Sequence, residues 1–369
     1  MFQYFLRRLA LIPLTLFGIM AVNFLFVQLA PGGPVEQIIA KLQDGGSATA
    51  KIGGTGAGDG GMTGPALHKQ DYAVASKYRG AQGLDPALIK ELEEQFGFDK
   101  PLHERFFSMM KSYLSFDFGK SFYRDTPVTE LIREKMTVSV SLGVWTTLII
   151  YLVSIPLGIF KAVRDGSKWD AVSSWAIIVG YAVPAFLFAM MLIVLFCGGR
   201  YFNWFPLRGL FSEDWNQFSA AEKIKDYFWH LAMPVCAMVA GGFAGLTMLT
   251  KNSFMEEISK QYVLTAKAKG LSSTAILYGH VFRNAMLIVL AGFPAVLVGM
   301  LFTGSVLIEV IFSLDGLGLL GFEAVMTRDY PVIFGTLYIF GLIGLVLNLI
   351  SDMTYHLVDP RIDFGGRHE

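Results

Sequence analysis

The sequence predicts an all-α integral membrane fold of six transmembrane helices, with a helical external insert after the first. Three observations carry that prediction. Six windows of 22 to 29 residues lack any Asp, Glu, Lys or Arg: 9–35, 136–160, 171–199, 227–250, 284–308 and 330–351. A helix needs roughly 20 apolar residues to cross a hydrocarbon core, where backbone groups must bond within their own segment. Composition agrees, with 53% apolar and 16% charged residues, against about 25% charged in soluble domains. Lys and Arg are also unevenly shared among the short connections. With the N-terminus inside, residues 1–8, 161–170, 251–283 and 352–369 carry 12 of them, and 200–226 and 309–329 carry 5. The positive-inside bias therefore places both termini in the cytoplasm.

Each element follows in order. Arg7 and Arg8 precede the first window, which is too long for a signal peptide. It is followed by Pro31-Gly32-Gly33-Pro34 rather than a small-residue cleavage site, so residues 1–35 read as an N-terminus and a retained first helix. Residues 36–135 form the external insert. Its stretch 45–64 has nine glycines in twenty residues and too little apolar surface to offset chain entropy, so it reads as flexible. Residues 85–135 read as a helical cap. Asp85 and Pro86 start a helix with Leu88, Leu92 and Phe96 on one face, stopped by Gly97. Pro101 starts a second, with Leu102, Phe106, Met109 and Tyr113 on one side, and Thr126-Pro127 a third, with Val128, Leu131 and Ile132. Residues 136–369 hold the other five spans. Pro13, Pro156, Pro184, Pro234 and Pro294 read as kinks, and Gly241 and Gly245 as a close helix–helix contact.

Several functions are excluded. Zero formal charge and no basic stripe give no support for a nucleic-acid partner. Cys197 and Cys236 lie in or beside apolar windows, outside any CxxC pattern, and read as packing residues. Gly119-Lys120-Ser121 resembles the end of a P-loop, but Leu114 stands where its first glycine belongs. Gly316, Gly318 and Gly321 match GxGxxG in a connection between spans, not in a strand–helix turn. No HExxH occurs, and Glu309 and Asp352 sit at span ends where water is expected to reach them. Catalytic residues, metal ligands and a cofactor site in this chain are therefore not expected. Asn23, Gln28 and Asn348 are polar positions in the spans, open to a role in a substrate path or in interhelical bonding.

The loop 251–283 is the most informative stretch. Phe254, Ile258, Tyr262 and Ala266 recur every fourth residue, Gly270 breaks the pattern, and Ser272 or Ser273 caps a short helix bearing Ile276, Leu277 and Val281. Its residues alone leave two readings, docking to a soluble partner or lying on the membrane surface.

"YVLTAKAKGLS…HVFRNAM" resembles the cytoplasmic EAA loop of ABC importer permeases. "YFLRRLALIPLTLFGIMAVNFLFVQLAPGGP", "FGFDKPLHERFFSMMKSYLSFDFGKSF", "GSVLIEVIFSLDGLGLLGFEAVMTRDYPVI" and "LVDPRI" extend the resemblance along nearly the whole chain. Together they resemble the B-type permeases of Opp/Dpp peptide importers. The glycine-rich insert and "RNAMLIVLAGFPA" are most similar to the Yej importers of oligopeptides and microcin C.

The resemblance implies a type I importer permease in a bacterial inner membrane, surrounded by lipid. Its partners would be a C-type permease, cytoplasmic ATPases that bind ATP and Mg, an external binding protein and a peptide substrate. ATPase coupling would fall to Thr265, Ala266, Lys267, Ala268, Lys269, Gly270, Ile276, Leu277, His280, Val281, Arg283 and Asn284, with Ile276–Val281 as an inserted helix. Asp315, Glu323, Arg328 and Asp329 would cluster as the surface that receives the binding protein. The sequence departs from the family pattern at Leu264, in the acidic place, and at Ile288, in the place of a proline. A secondary carrier is the alternative, but no buried carboxylate or inverted repeat supports it.

Overall fold

The computed structural model describes residues 2–29, 100–198, 201–302 and 306–358. The glycine-rich stretch 45–64, the helix expected from Asp85 and all of the C-terminal "LVDPRI" beyond Val358 lie outside them. The regular elements described are helices: α1 (Phe2–Leu29), α2 (Leu102–Leu114), α3 (Val128–Val163), α4 (Lys168–Ala182), α5 (Ala185–Phe196), α6 (Ala220–Ile258), α7 (Gln261–Ala268), α8 (Ser273–Ile276), α9 (Phe282–Phe302), α10 (Val306–Ile311), α11 (Leu317–Thr327) and α12 (Tyr330–Val358). Among the described residues five helices are long and apolar enough to cross a membrane, and six spans result if the bent pair α4–α5 counts as one.

That pair revises the expectation of a simple kink. The third window turns by 92° between its halves. Pro184 has no N–H to continue α4 and restricts Val183 to extended backbone, so the helix ends and α5 restarts after the proline. Pro13, Pro156 and Pro234 stay inside α1, α3 and α6. The third cap helix and the second span are one helix, because α3 runs unbroken for 36 residues, about 54 Å.

The chain forms two compact units. Of the described residues, the first contains 2–16, 130–198, 201–302, 306–322 and 338–358. Here α6, 39 residues long, is the spine on which α4, α5 and α9 pack. A Cβ on Gly158 would sit 2.6 Å from Thr250 Cβ and 2.8 Å from the Thr247 carbonyl, so α3 and α6 cross with no room for a side chain. The GxxxG pair does not do this within the chain: Gly241 faces Ala185, and Gly245 has open space beside it. Arg8 on α1 pairs with Asp352 on α12.

Glu309 is fully buried, contrary to the expectation that water reaches it. Its Oε2 accepts the Leu319 N–H at 2.6 Å, and burial pushes its carboxyl pKa up. A Cβ on Gly316 would lie 2.5 Å from Glu309 Oε1. The GxGxxG glycine is thus explained by close approach to a buried carboxyl, not by a nucleotide.

Of the described residues, the second unit contains 17–29, 100–129 and 323–337. Phe106, half-buried on α2, meets Phe17 of α1 edge-to-face at 5.5 Å and Phe24 at a tilt at 5.3 Å, and Phe24 also meets Phe334 at 5.9 Å. Tyr113 and Val128 are buried as the pattern predicts, whereas Leu102 is exposed.

Candidate functional site

The loop after the fourth span is built in three steps. First, α6 continues to Ile258, past Thr250 where the charge-free window ends. Next, α7 runs to Ala268 and stops in a Schellman motif. The Gly270 N–H bonds the Lys267 carbonyl at 2.9 Å, and the Leu271 N–H bonds the Ala266 carbonyl at 3.3 Å. Gly270 carries φ +79°, which glycine adopts without steric penalty. Last, Ser272 caps α8 by accepting the Ala275 N–H at 3.3 Å, and a π-helical turn over Leu277–Val281 leads into α9.

The apolar stripe read from the sequence faces inward. Phe254, Val263, Ala266, Ile276, Val281, Ala285 and Val289 form one core beneath the loop. Ala266, Ile276 and Val281 are therefore packed inside the loop, and the expected inserted helix 276–281 exposes Tyr278, Gly279 and His280 instead. Burying these side chains is also what makes so short a helix stable. The outer surface includes Leu264, Thr265, Lys267, Ala268, Lys269, Gly270 and Leu271, with Tyr278, His280, Arg283 and Asn284 exposed farther along. Leu277 is half-buried.

Two polar clusters brace this loop. Tyr262 donates to Glu257 Oε2 at 2.7 Å, Lys260 pairs with the same carboxylate, and the Asn284 amide reaches the Tyr262 hydroxyl at 3.5 Å. The Glu257 carboxylate holds the Lys260 ammonium pKa up, while burial and that same bond raise the Tyr262 phenol. The second cluster joins the connection 161–170 to the loop's base. Lys161, with no exposed surface, gives its three protons to the Asp170 carbonyl and the Ser173 and Ser174 hydroxyls at 2.7–2.9 Å. It also lies 2.9 Å from Asp170 Oδ1. Lys251 bridges Asp165 and Asp170 at 2.8 Å each. Sequence reading missed this network. Its only signal was charge at both ends of two neighbouring connections.

The residues expected to receive a binding protein do not form one exposed cluster. Asp329 is buried and accepts the Ser121 hydroxyl at 2.5 Å and the Phe122 N–H at 3.1 Å. Glu323 pairs with Arg124 at 2.6 Å, Arg328 adopts φ +56°, and both belong to the second unit with Asp329. Asp315 belongs to the first unit, where it pairs with Lys135. Of the path candidates, Asn23 donates to the Ile19 carbonyl of its own helix at 2.8 Å, and Asn348 is exposed on α12. Gln28 lies in the last turn of α1, and its side chain is outside the described residues.

Comparison with known proteins decides the family. Residues 154–364, more than half the chain, match the binding-protein-dependent transport system inner membrane component. The chain belongs to this family. Over 99% of both lengths, the permease is 58% identical to the inner membrane ABC transporter permease protein YejB of Escherichia coli O157:H7. It is also 58% identical, over the same shares, to the peptidoglycan transport system permease protein YejB of Agrobacterium fabrum. The oligopeptide transport system permease protein AppB of Bacillus subtilis is 32% identical over 76% of this chain and 88% of its own. A solved MetNI methionine ABC transporter chain aligns with TM-score 0.46 at 12% identity, over 62% of this chain and 97% of that one. The matched region starts within α3 and includes the whole loop, whereas α2 precedes it. Both departures now have a place. Leu264 is 59% exposed on the outer surface of α7, and α9 runs without a break through Ile288.

Proposed function

We propose that the permease is one half of the membrane path of an ATP-driven importer of oligopeptides, and that the loop 251–283 couples it to cytoplasmic ATPases. The observation that carries this reading is the loop's two-sided construction. Its inner side is continuous with the core around α6 and α9, and its outer side stays exposed at Leu264 and Leu271. A force on that surface reaches two spans through packed side chains, because cores shift between discrete arrangements rather than deform. An apolar contact at Leu264 would replace the carboxylate usual there. ATP and Mg would bind the ATPases, a C-type permease would complete the path, and a binding protein would deliver substrate to the external cap. The 12-to-5 charge asymmetry supports cytoplasmic termini, and the Arg8–Asp352 pair supports placing both on one side.

The relatives named for oligopeptide and dipeptide transport support the substrate class. The relative named for peptidoglycan transport favours a second reading, peptides carried on cell-wall fragments. Microcin C-type peptides would fit the first. Uptake into proteoliposomes that hold the full importer tests the proposal. It should require ATP and ignore protonophores, with competition by free peptides rather than muropeptides. Uptake that survives ATP depletion and collapses with a protonophore would establish the carrier instead.

A further inference from the structure

A groove of about 900 Å³ opens beside the loop, between the end of α3 and the α8–α9 turn. Its volume lies within the range of small-molecule sites. Two of its properties change together along α3. Ile155 and Ile159 line it within the charge-free window, and Phe160 ends that window. Arg164 lines it about 14 Å farther along the helix from Ile155, joined by Lys267 from α7. The groove is thus apolar at bilayer depth and cationic just beyond it, and its lining includes no carboxylate. Arg164 is held over the Phe160 ring at 4.3 Å, at the boundary between the two parts.

We propose that this groove binds an anionic phospholipid, its acyl chain along α3 and its phosphate on Arg164 and Lys267. A soluble partner could use the cations, but it would have no access to Ile155 at bilayer depth. A zwitterionic lipid would fill the apolar part and gain little from the two positive charges. The bound lipid would wedge against Val263, Ile276 and Val281, the residues that set the loop's position.

Native mass spectrometry of the purified importer, titrated with phosphatidylglycerol or phosphatidylcholine of equal chain length, tests this. One site should favour phosphatidylglycerol by about 30-fold, the combined effect of two cations beside an anionic headgroup. Arg164→Gln with Lys267→Gln should abolish the preference, whereas Lys223→Gln with Lys225→Gln, near the start of α6, should leave it intact. Val163→Trp, at an exposed position in the groove, should lower retention of both lipids. An unchanged preference in the first pair, or equal loss in the second, overturns the proposal. Loss of ATPase subunits from the first pair with lipid retention unchanged would give the groove to the ATPase, and also overturns it.

Discussion

Gly270→Val is the sharpest perturbation of the coupling loop. The glycine holds φ +79°, and a Cβ built there would meet nothing within 4 Å. The substitution therefore acts through backbone conformation alone. An L-residue in the left-handed region costs roughly 1–2 kcal/mol, and a β-branched one falls at the upper end. The Schellman turn should lose about 5- to 30-fold in population relative to a straightened loop. Membrane insertion and assembly should survive, because the core beneath depends on Val263, Ile276 and Val281. Binding-protein-stimulated ATP hydrolysis should persist without proportionate uptake in proteoliposomes. Gly270→Asn should retain most coupling, since Asn tolerates the left-handed region. Equal defects in the Val and Asn variants, or normal coupling in both, would refute the conformational argument.

Further predictions concern packing and buried charge. Gly158→Ala should lower thermal stability in detergent by about 1–3 kcal/mol, because Thr250 and the Thr247 carbonyl occupy the new methyl's position; Gly245→Ala should be neutral. Lys161→Met should cost about 3–5 kcal/mol by leaving Asp170 with a missing partner. Lys251→Met should cost less, since Lys161 would still pair with Asp170 and the freed Asp165 is half-exposed to water, and the same unfolding assay ranks the two. Glu309→Leu should cost about 1–3 kcal/mol through the unpaired Leu319 N–H, whereas Glu309→Gln keeps an acceptor. Gly316→Ala should be less harmful beside Glu309→Ala than alone, a coupling that a double-mutant cycle measures.

The spans were legible because a bilayer leaves few options for a long uncharged segment. Gly270 was legible for a related reason, as a glycine between two helical periods is strong evidence for a turn with positive φ. What the periodicity could not say was which side of the loop faced inward. Phe254 and Ile276 are apolar, and apolar residues suit a partner's surface or a core equally well, so only packing decides that Ile276 and Val281 are internal. The same ambiguity misplaced Asp329 and Glu309, whose partners lie far off in the chain or are backbone N–H groups that carry no sequence signal. Pro184 could be seen, but its 92° bend could not, because Pro13 and Pro156 sit within continuing helices. The Lys161–Asp170–Lys251 network depends on bringing two connections together, and single-sequence reading has no access to that.

Photocrosslinking tests the coupling role most directly. A photoreactive residue is placed in turn at Leu264, Leu271, Ile276 and Val281 of the permease in the assembled importer. The first two positions are exposed on the loop's outer side and the last two are buried in its core. Crosslinks to the ATPase from Leu264 and Leu271, with none from Ile276 and Val281, are the predicted result. Crosslinks from Ile276 or Val281, or none from Leu264 and Leu271, would contradict the account.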